Sequence, residues 1–194
     1  MNSVFIALST LLPIISPIVY TKAILRGHAK PHRTTRFVLL LITSLTTASL
    51  FAQHNTVAIW LAGVSTLQSI LIFGLSIRYG MGGWTKTDIL CLIIAIVGIM
   101  LWQTTNQPEL GLYASITADF TGMIPALIKT YHHPDTEIVS FYLLDVFAAF
   151  FNMLAITVWT LQQFSYPIYI MIINLIMVSL ILRKKKLAAI TNPQ

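Results

Sequence analysis

The chain has 194 residues, of which 56% are hydrophobic and only 9% charged, with a net charge of +6. A soluble domain carries about 25% charged residues, so this composition cannot coat a water-soluble globule. The single cysteine, Cys91, excludes an intrachain disulfide and a cysteine-built metal site, and its apolar surroundings mark it as a small buried residue.

A helical membrane crossing needs about 20 mostly apolar residues. Seven such runs follow one another. The first covers 4–25 and contains Pro13 and Pro17. The start Met-Asn-Ser-Val has no basic leader or small-residue cleavage site, which points to a retained span and not a removed signal peptide. A basic loop holding Lys22, Arg26, Lys30, Arg33 and Arg36 leads to a Ser/Thr-rich second run at 37–53. The uncharged turn His54-Asn55-Thr56 opens a third at 57–79, ended by the glycines of 80–83. The fourth, 88–102, is the shortest of the set. The fifth, 110–129, contains Pro125. His132 to Asp135 then punctuates, and the sixth and seventh cover 139–159 and 164–182. A basic tail, 183–194, ends the chain. Backbone polar groups in lipid must be satisfied within the span, which selects helices for runs of this length.

The cations sort by side. The first connection holds five, the third Arg78 and Lys86, the fifth Lys129 at its edge, and the tail Arg183 to Lys186. The second, fourth and sixth hold none. Lysine and arginine mark the cytoplasmic side, so the expected orientation is N-terminus outside and C-terminus in the cytoplasm of the cell (inner) membrane. The positive balance therefore reads as topology and anionic-lipid contact, and a nucleic-acid partner is excluded.

The first and fifth runs share a layout. Ser16-Pro17-Ile18-Val19-Tyr20-Thr21-Lys22 is followed by Pro31 and then Arg36-Phe37. Ile124-Pro125-Ala126-Leu127-Ile128-Lys129-Thr130-Tyr131 is followed by Pro134 and then Ser140-Phe141. Each has a proline before a cationic helix end, a second proline in the loop and an aromatic opening the next helix. Three spans, one linker and three spans in the same orientation make a parallel repeat. On these residues the chain resembles the SWEET and PQ-loop transporter superfamily as a distant relative. Ile18 and Ala126 stand where that family's glutamine usually follows the proline. The resemblance implies an all-α fold of seven transmembrane helices, with triple-helix bundles at 1–79 and 108–182 and a linker helix at 80–107. It implies Pro17 and Pro125 as hinges. It also implies a substrate cavity near the midplane lined by an asparagine, matched by Asn174, and by a tryptophan, matched by Trp60. Ser65 is the counterpart of Asn174 in the third span.

Ionisable groups at membrane depth cost about 2.5–3.5 kcal/mol on insertion scales and mark functional sites. Asp119 lies midway along the fifth span with Gly122 on its face, and Asp145 lies in the sixth. Asp145, Ala148, Ala149 and Asn152 form one helical stripe, which must face a cavity or a helix. Asp119, Asp145, Asn152, Asn174, Gln68 and Trp60 are the candidate substrate-binding residues. For the polar ones, an interhelical hydrogen bond is the competing reading. Thr43, Thr46 and Thr47 share a face suited to close packing. Trp60, Trp84, Trp102 and Trp159 sit near span ends, as interfacial anchors do. His28 and His32, or His132 and His133, lack the partners of a zinc site. No nucleophile–base pair, nucleotide motif or Schiff-base lysine is present, so the chain reads as a non-enzyme needing no cofactor. The expected function is transport of a small polar solute, a sugar or an amino acid, by alternating access. Proton coupling and a homo-oligomer are open options. A seven-span receptor or sorting protein is the alternative, and a lipid-modifying enzyme a third.

Overall fold

A computed structural model describes residues 2–29, 31, 33–80, 86–132 and 134–191; within these, the side chains at 2, 3, 34, 35, 87, 88, 91, 95, 99, 102, 125, 129, 136 and 184–191 are not described. The fold is all-helical, with no strand among the described residues. The helices are α1 (Asn2–Leu25), α2 (Arg33–Ala52), α3 (Ala58–Tyr79), α4 (Lys86–Thr105), α5 (Pro108–His132), α6 (Val139–Leu154) and α7 (Leu161–Thr191), with a 3-10 turn at Pro134–Thr136. Four segments, Val4–Leu25, Ala58–Tyr79, Pro108–His132 and Leu161–Arg183, are long and apolar enough to cross a membrane, and Arg36–Ala52, Leu92–Thr105 and Val139–Leu154 are shorter apolar helices. Outward faces are apolar as well. Leu67, Ile70, Ile77, Phe147 and Phe150 all point away from the bundle with their side chains exposed. Such continuous apolar exposure fits contact with lipid.

Three boundaries differ from the sequence-based expectation. α4 extends to 20 residues, and the shortest long helix is α6 with 16. Thr104 and Thr105 carry α4 onward by bonding back to the carbonyls of Met100 and Leu101. α6 stops at Leu154, where the Ala155 N–H turns in to the carbonyls of Phe151 and Asn152; the β-branched Ile156, Thr157 and Val158 that follow are poor helix formers. α7 does not end before the basic cluster but continues to Thr191. Lysine, leucine and alanine favour helix there, so 183–191 is an extension of α7 and not a separate tail.

The packing order is simple. α3 lies between α1 and α2, and α7 lies between α5 and α6. α1 packs on α6 and α2 packs on α5, which closes the six helices into a ring. α3 and α7 approach across its middle. α4 stands outside, against α5 and α2, where Gly98 allows a close crossing: a Cβ there would collide with the Cβ of Ala114.

Polar rivets hold the seams. On α1–α6, the fully buried Asn152 donates to the Ser9 hydroxyl at 3.3 Å and to the Val57 carbonyl at 3.0 Å. On α2–α5, Thr46 donates to Ser115 at 2.7 Å. On α2–α3, the hydroxyls of Thr47 and Thr66 meet at 2.8 Å. The buried Asn55 orders the uncharged turn, accepting from the N–H groups of Val57 and Ala58 and donating to the Gln162 carbonyl. Two apolar clusters then flank the interior. One gathers Tyr20, Ile72, Phe141, Tyr142 and Met177 at the end of the bundle carrying Arg33, Arg36 and Arg183. The other gathers Leu50, Leu61, Leu112, Ala148 and Tyr166 toward the opposite end.

Candidate functional site

Between these clusters lies a cavity of about 480 Å³. Every helix of the ring contributes to its wall, including Thr43 of α2, Gln68 of α3, Asp119 of α5, Asp145 of α6 and Asn174 of α7, whereas no described side chain of α4 lines it. Much of the wall is apolar, with Leu39, Ile42, Ile116 and Ile173 among its members. A few polar groups converging in an apolar concavity is the ordinary form of a small-ligand site.

At mid-depth the polar groups sit in two sets. The Tyr169 hydroxyl donates to the Asp119 carboxylate. Gln68 reaches across from α3 to Asp145, at 3.4 Å, a long and weak bond. The hydroxyl of Ser16 on α1 lies beside the same carboxylate. The phenol of Tyr166 lies within electrostatic reach of both carboxylates. Asn174 lines the cavity while donating to the Ile170 carbonyl one turn back, at 2.8 Å.

Toward the cationic end, the wall carries a charged cluster. Arg36 donates to the Tyr20 hydroxyl at 3.2 Å and lies 5.4 Å from its ring centroid. Tyr142 donates to Glu137 at 2.8 Å. Arg36 and Glu137 attract each other electrostatically, so α2 and the segment just before α6 meet through an opposite-charge pair. Tyr20 stacks against Phe141 with ring centroids 4.6 Å apart. Beside this cluster, Arg33 caps the end of α3 by donating to the carbonyls of Ser76 and Gly80.

The structure gathers Asp119, Asp145, Gln68 and Asn174 around one cavity, as it does Ser65 and Gly122. Two candidates fall elsewhere. Asn152 is fully buried away from the cavity, because its amide is used by Ser9 and Val57 on the α1–α6 seam. Trp60 is 53% exposed on the outer surface, beside a shallow groove with Ile6, Ala7, Thr10 and Leu11. Its position near the start of α3 turns its ring away from the interior, so Trp60 is not the cavity aromatic that the resemblance implies. Helix α1 runs unbroken through Pro13 and Pro17; Pro17 is buried, and it is Pro13 that lines the cavity. α5 likewise runs through position 125, but the Pro125 side chain lies outside the described residues, as do those of Trp102 and Cys91. Trp84, His32 and His133 also lie outside them. Among the described residues, no three His, Cys, Asp or Glu side chains group closely enough to hold a metal.

Sequence reasoning passed over Tyr20, Arg36, Tyr142, Tyr166 and Tyr169. Arg36 counted as a loop cation and as part of the repeat, not as a cavity group, yet α2 begins at Arg33 and carries it into the wall. Counting back from Asn174 by helical turns reaches Ile170 and Tyr166, so the face of α7 was recoverable from the asparagine alone. No protein-family model, no curated protein and no solved structure matches the chain.

Proposed function

We propose that this protein carries a small polar solute across the cell's inner membrane by alternating access, without a cofactor. In this reading the seven helices all span the bilayer, with the N-terminus outside and the C-terminus in the cytoplasm. Helices α1–α3 and α5–α7 are two parallel triple-helix bundles joined by α4. The observation that carries the reading is the single cavity walled by all six ring helices, with polar groups from both triples turned into an otherwise apolar interior. A packing bundle has no need to leave that space. The middle position of α3 and of α7 in their triples, and the matched α1–α6 and α2–α5 seams, support a repeat in which one triple rocks against the other. The charge pair and aromatic stack at one end, and the apolar cluster at the other, are suited to serve as alternately opening closures.

The test is flux. Purified protein in liposomes is offered radiolabelled sugars, amino acids and amines, one at a time. Uptake of at least one solute, lowered at least tenfold by Asp119→Asn in protein that still inserts and purifies as a single species, is the expected outcome. Specific binding of a solute with no uptake above empty liposomes would replace the carrier by a receptor.

A further inference from the structure

The charges that face the cavity do not balance, and the imbalance points to the ligand. Among the described residues, four formally charged side chains line it: Arg36, Glu137, Asp119 and Asp145. Arg36 and Glu137 attract one another at the cationic end and offset each other there. The two carboxylates at mid-depth remain. No Lys, Arg or His among the described residues forms an ion pair with either. Asp119 has the Tyr169 hydroxyl and feels Arg36 only at longer range; Asp145 has the long bond from Gln68, with Ser16 of α1 beside it. An ionised carboxylate in a low-dielectric interior is strongly disfavoured unless a counter-charge accompanies it.

A second observation is independent of the carboxylates. Tyr166 is only 3% exposed, lines the cavity, and its hydroxyl has no hydrogen-bond partner. The Ser65 hydroxyl beside it donates to the Leu61 carbonyl of its own helix, so it offers the phenol no donor and leaves the Tyr166 oxygen open as an acceptor. Buried polar atoms are normally satisfied, so an open acceptor on a residue that lines a cavity is a place for a ligand's donor. This phenol lies within electrostatic reach of both Asp119 and Asp145.

We infer that Asp119, Asp145 and Tyr166 form a recognition site for an organic ammonium group, a protonated primary or secondary amine on an apolar body. The ammonium supplies N–H donors and one positive charge, which two carboxylates and a phenol oxygen are placed to receive. The Tyr166 ring adds an aromatic face that attracts cations. The surrounding Ile116, Ile170 and Ile173 suit the apolar body. A bare alkali ion is a poorer match, because about 480 Å³ with largely apolar walls cannot surround it with oxygens. The site rests on the carrier reading only for what happens to the ligand afterwards.

The experiment uses three probes of nearly equal size: benzylamine, benzyl alcohol and benzoate. Equilibrium dialysis with the purified full chain in detergent at neutral pH measures binding of each. Benzylamine is expected to bind at least tenfold tighter than benzyl alcohol, and benzoate not measurably. Asp145→Asn and Asp119→Asn should each remove most of that tenfold preference, and Asp145→Glu should retain it. Should the Asn variants fail to purify, the wild-type preference among the three probes decides by itself. Equal binding of benzylamine and benzyl alcohol, preference for benzoate, or displacement of benzylamine by an equal concentration of sodium chloride would overturn the site. Amine selectivity can fail while the protein still moves a neutral sugar into liposomes, which would leave the carrier standing. Amine binding without flux would leave the site standing and remove the carrier.

Discussion

Helices α1–α3 and helices α5–α7 wall the same cavity with different chemistry. The first triple brings the guanidinium of Arg36, the amide of Gln68 and the hydroxyls of Thr43 and Ser65. The second brings both mid-depth carboxylates, the phenols of Tyr166 and Tyr169, and Asn174. The seams between triples differ too. α1–α6 is closed by Asn152 and by the Tyr20–Phe141 ring contact, whereas α2–α5 is closed by the Thr46–Ser115 bond and the apolar cluster of Val38, Ile42, Leu45 and Ala118. The difference teaches a division of labour. Matched helix positions set the frame, and unlike side chains on that frame set what the cavity recognises and how firmly each seam is held.

The most damaging change should be one that ties the triples together. With Cys91 replaced by alanine, a reducible bis-methanethiosulfonate crosslink between Tyr20→Cys and Phe141→Cys would lock the α1–α6 seam at its cationic end. Flux is expected to fall at least tenfold and to return on reduction; unchanged flux in the crosslinked protein would show that this seam does not open. Next in size is Gly98→Leu. Its side chain would collide with Ala114, and overpacking of this kind costs about 1–3 kcal/mol. A lowered melting temperature with normal activity per folded molecule is expected, since no described side chain of α4 lines the cavity.

The seams give a smaller contrast. Asn152→Ala removes two buried bonds at once, and interhelical hydrogen bonds in membranes are worth about 0.6 kcal/mol on average and about 1.7 at most, so a loss of about 1–2 kcal/mol is expected in chemical unfolding. Thr46→Val removes one interhelical bond, along with the bond of the same hydroxyl to the Ile42 carbonyl within α2, and should cost about 0.6 kcal/mol. A larger loss from Thr46→Val than from Asn152→Ala would reverse the ranking of the two seams. Smallest of all is Trp60→Ala. The residue lies outside the cavity, so solute binding should be unchanged within error.

The sequence made the helices legible because membrane crossings need long apolar runs, and the four longest were unmistakable. Helix ends were harder. Nothing in the residues 155–160 resembles a proline or glycine stop, yet α6 ends at Leu154 and the chain turns. α7 ran past its apolar segment because lysines tolerate helix as readily as they mark a membrane edge. Within the site, Asp119, Asp145, Gln68 and Asn174 were legible because polarity inside an apolar run always needs a reason. Asn152 followed the same rule and had the other reason, a seam to hold. The tyrosines were invisible for the opposite cause: a phenol is at home in lipid, in a core or in a cavity, and only packing decides among them. Arg36 was hidden by its own helpfulness as a topology marker.

The carrier claim is tested most directly by access to the cavity from the two faces of the membrane. In the Cys91→Ala background, Thr43→Cys places a thiol on the cavity wall, and Leu41→Cys places one on the outer apolar face two residues away. A membrane-impermeant thiol reagent is added to liposomes of one orientation, outside in one experiment and trapped inside in another. The expected result is labelling of the Thr43→Cys variant from both faces in turn, slowed by a bound solute, with the Leu41→Cys variant unlabelled from either. Labelling at position 43 from one face only, or equal labelling at both positions, would contradict alternating access through this cavity.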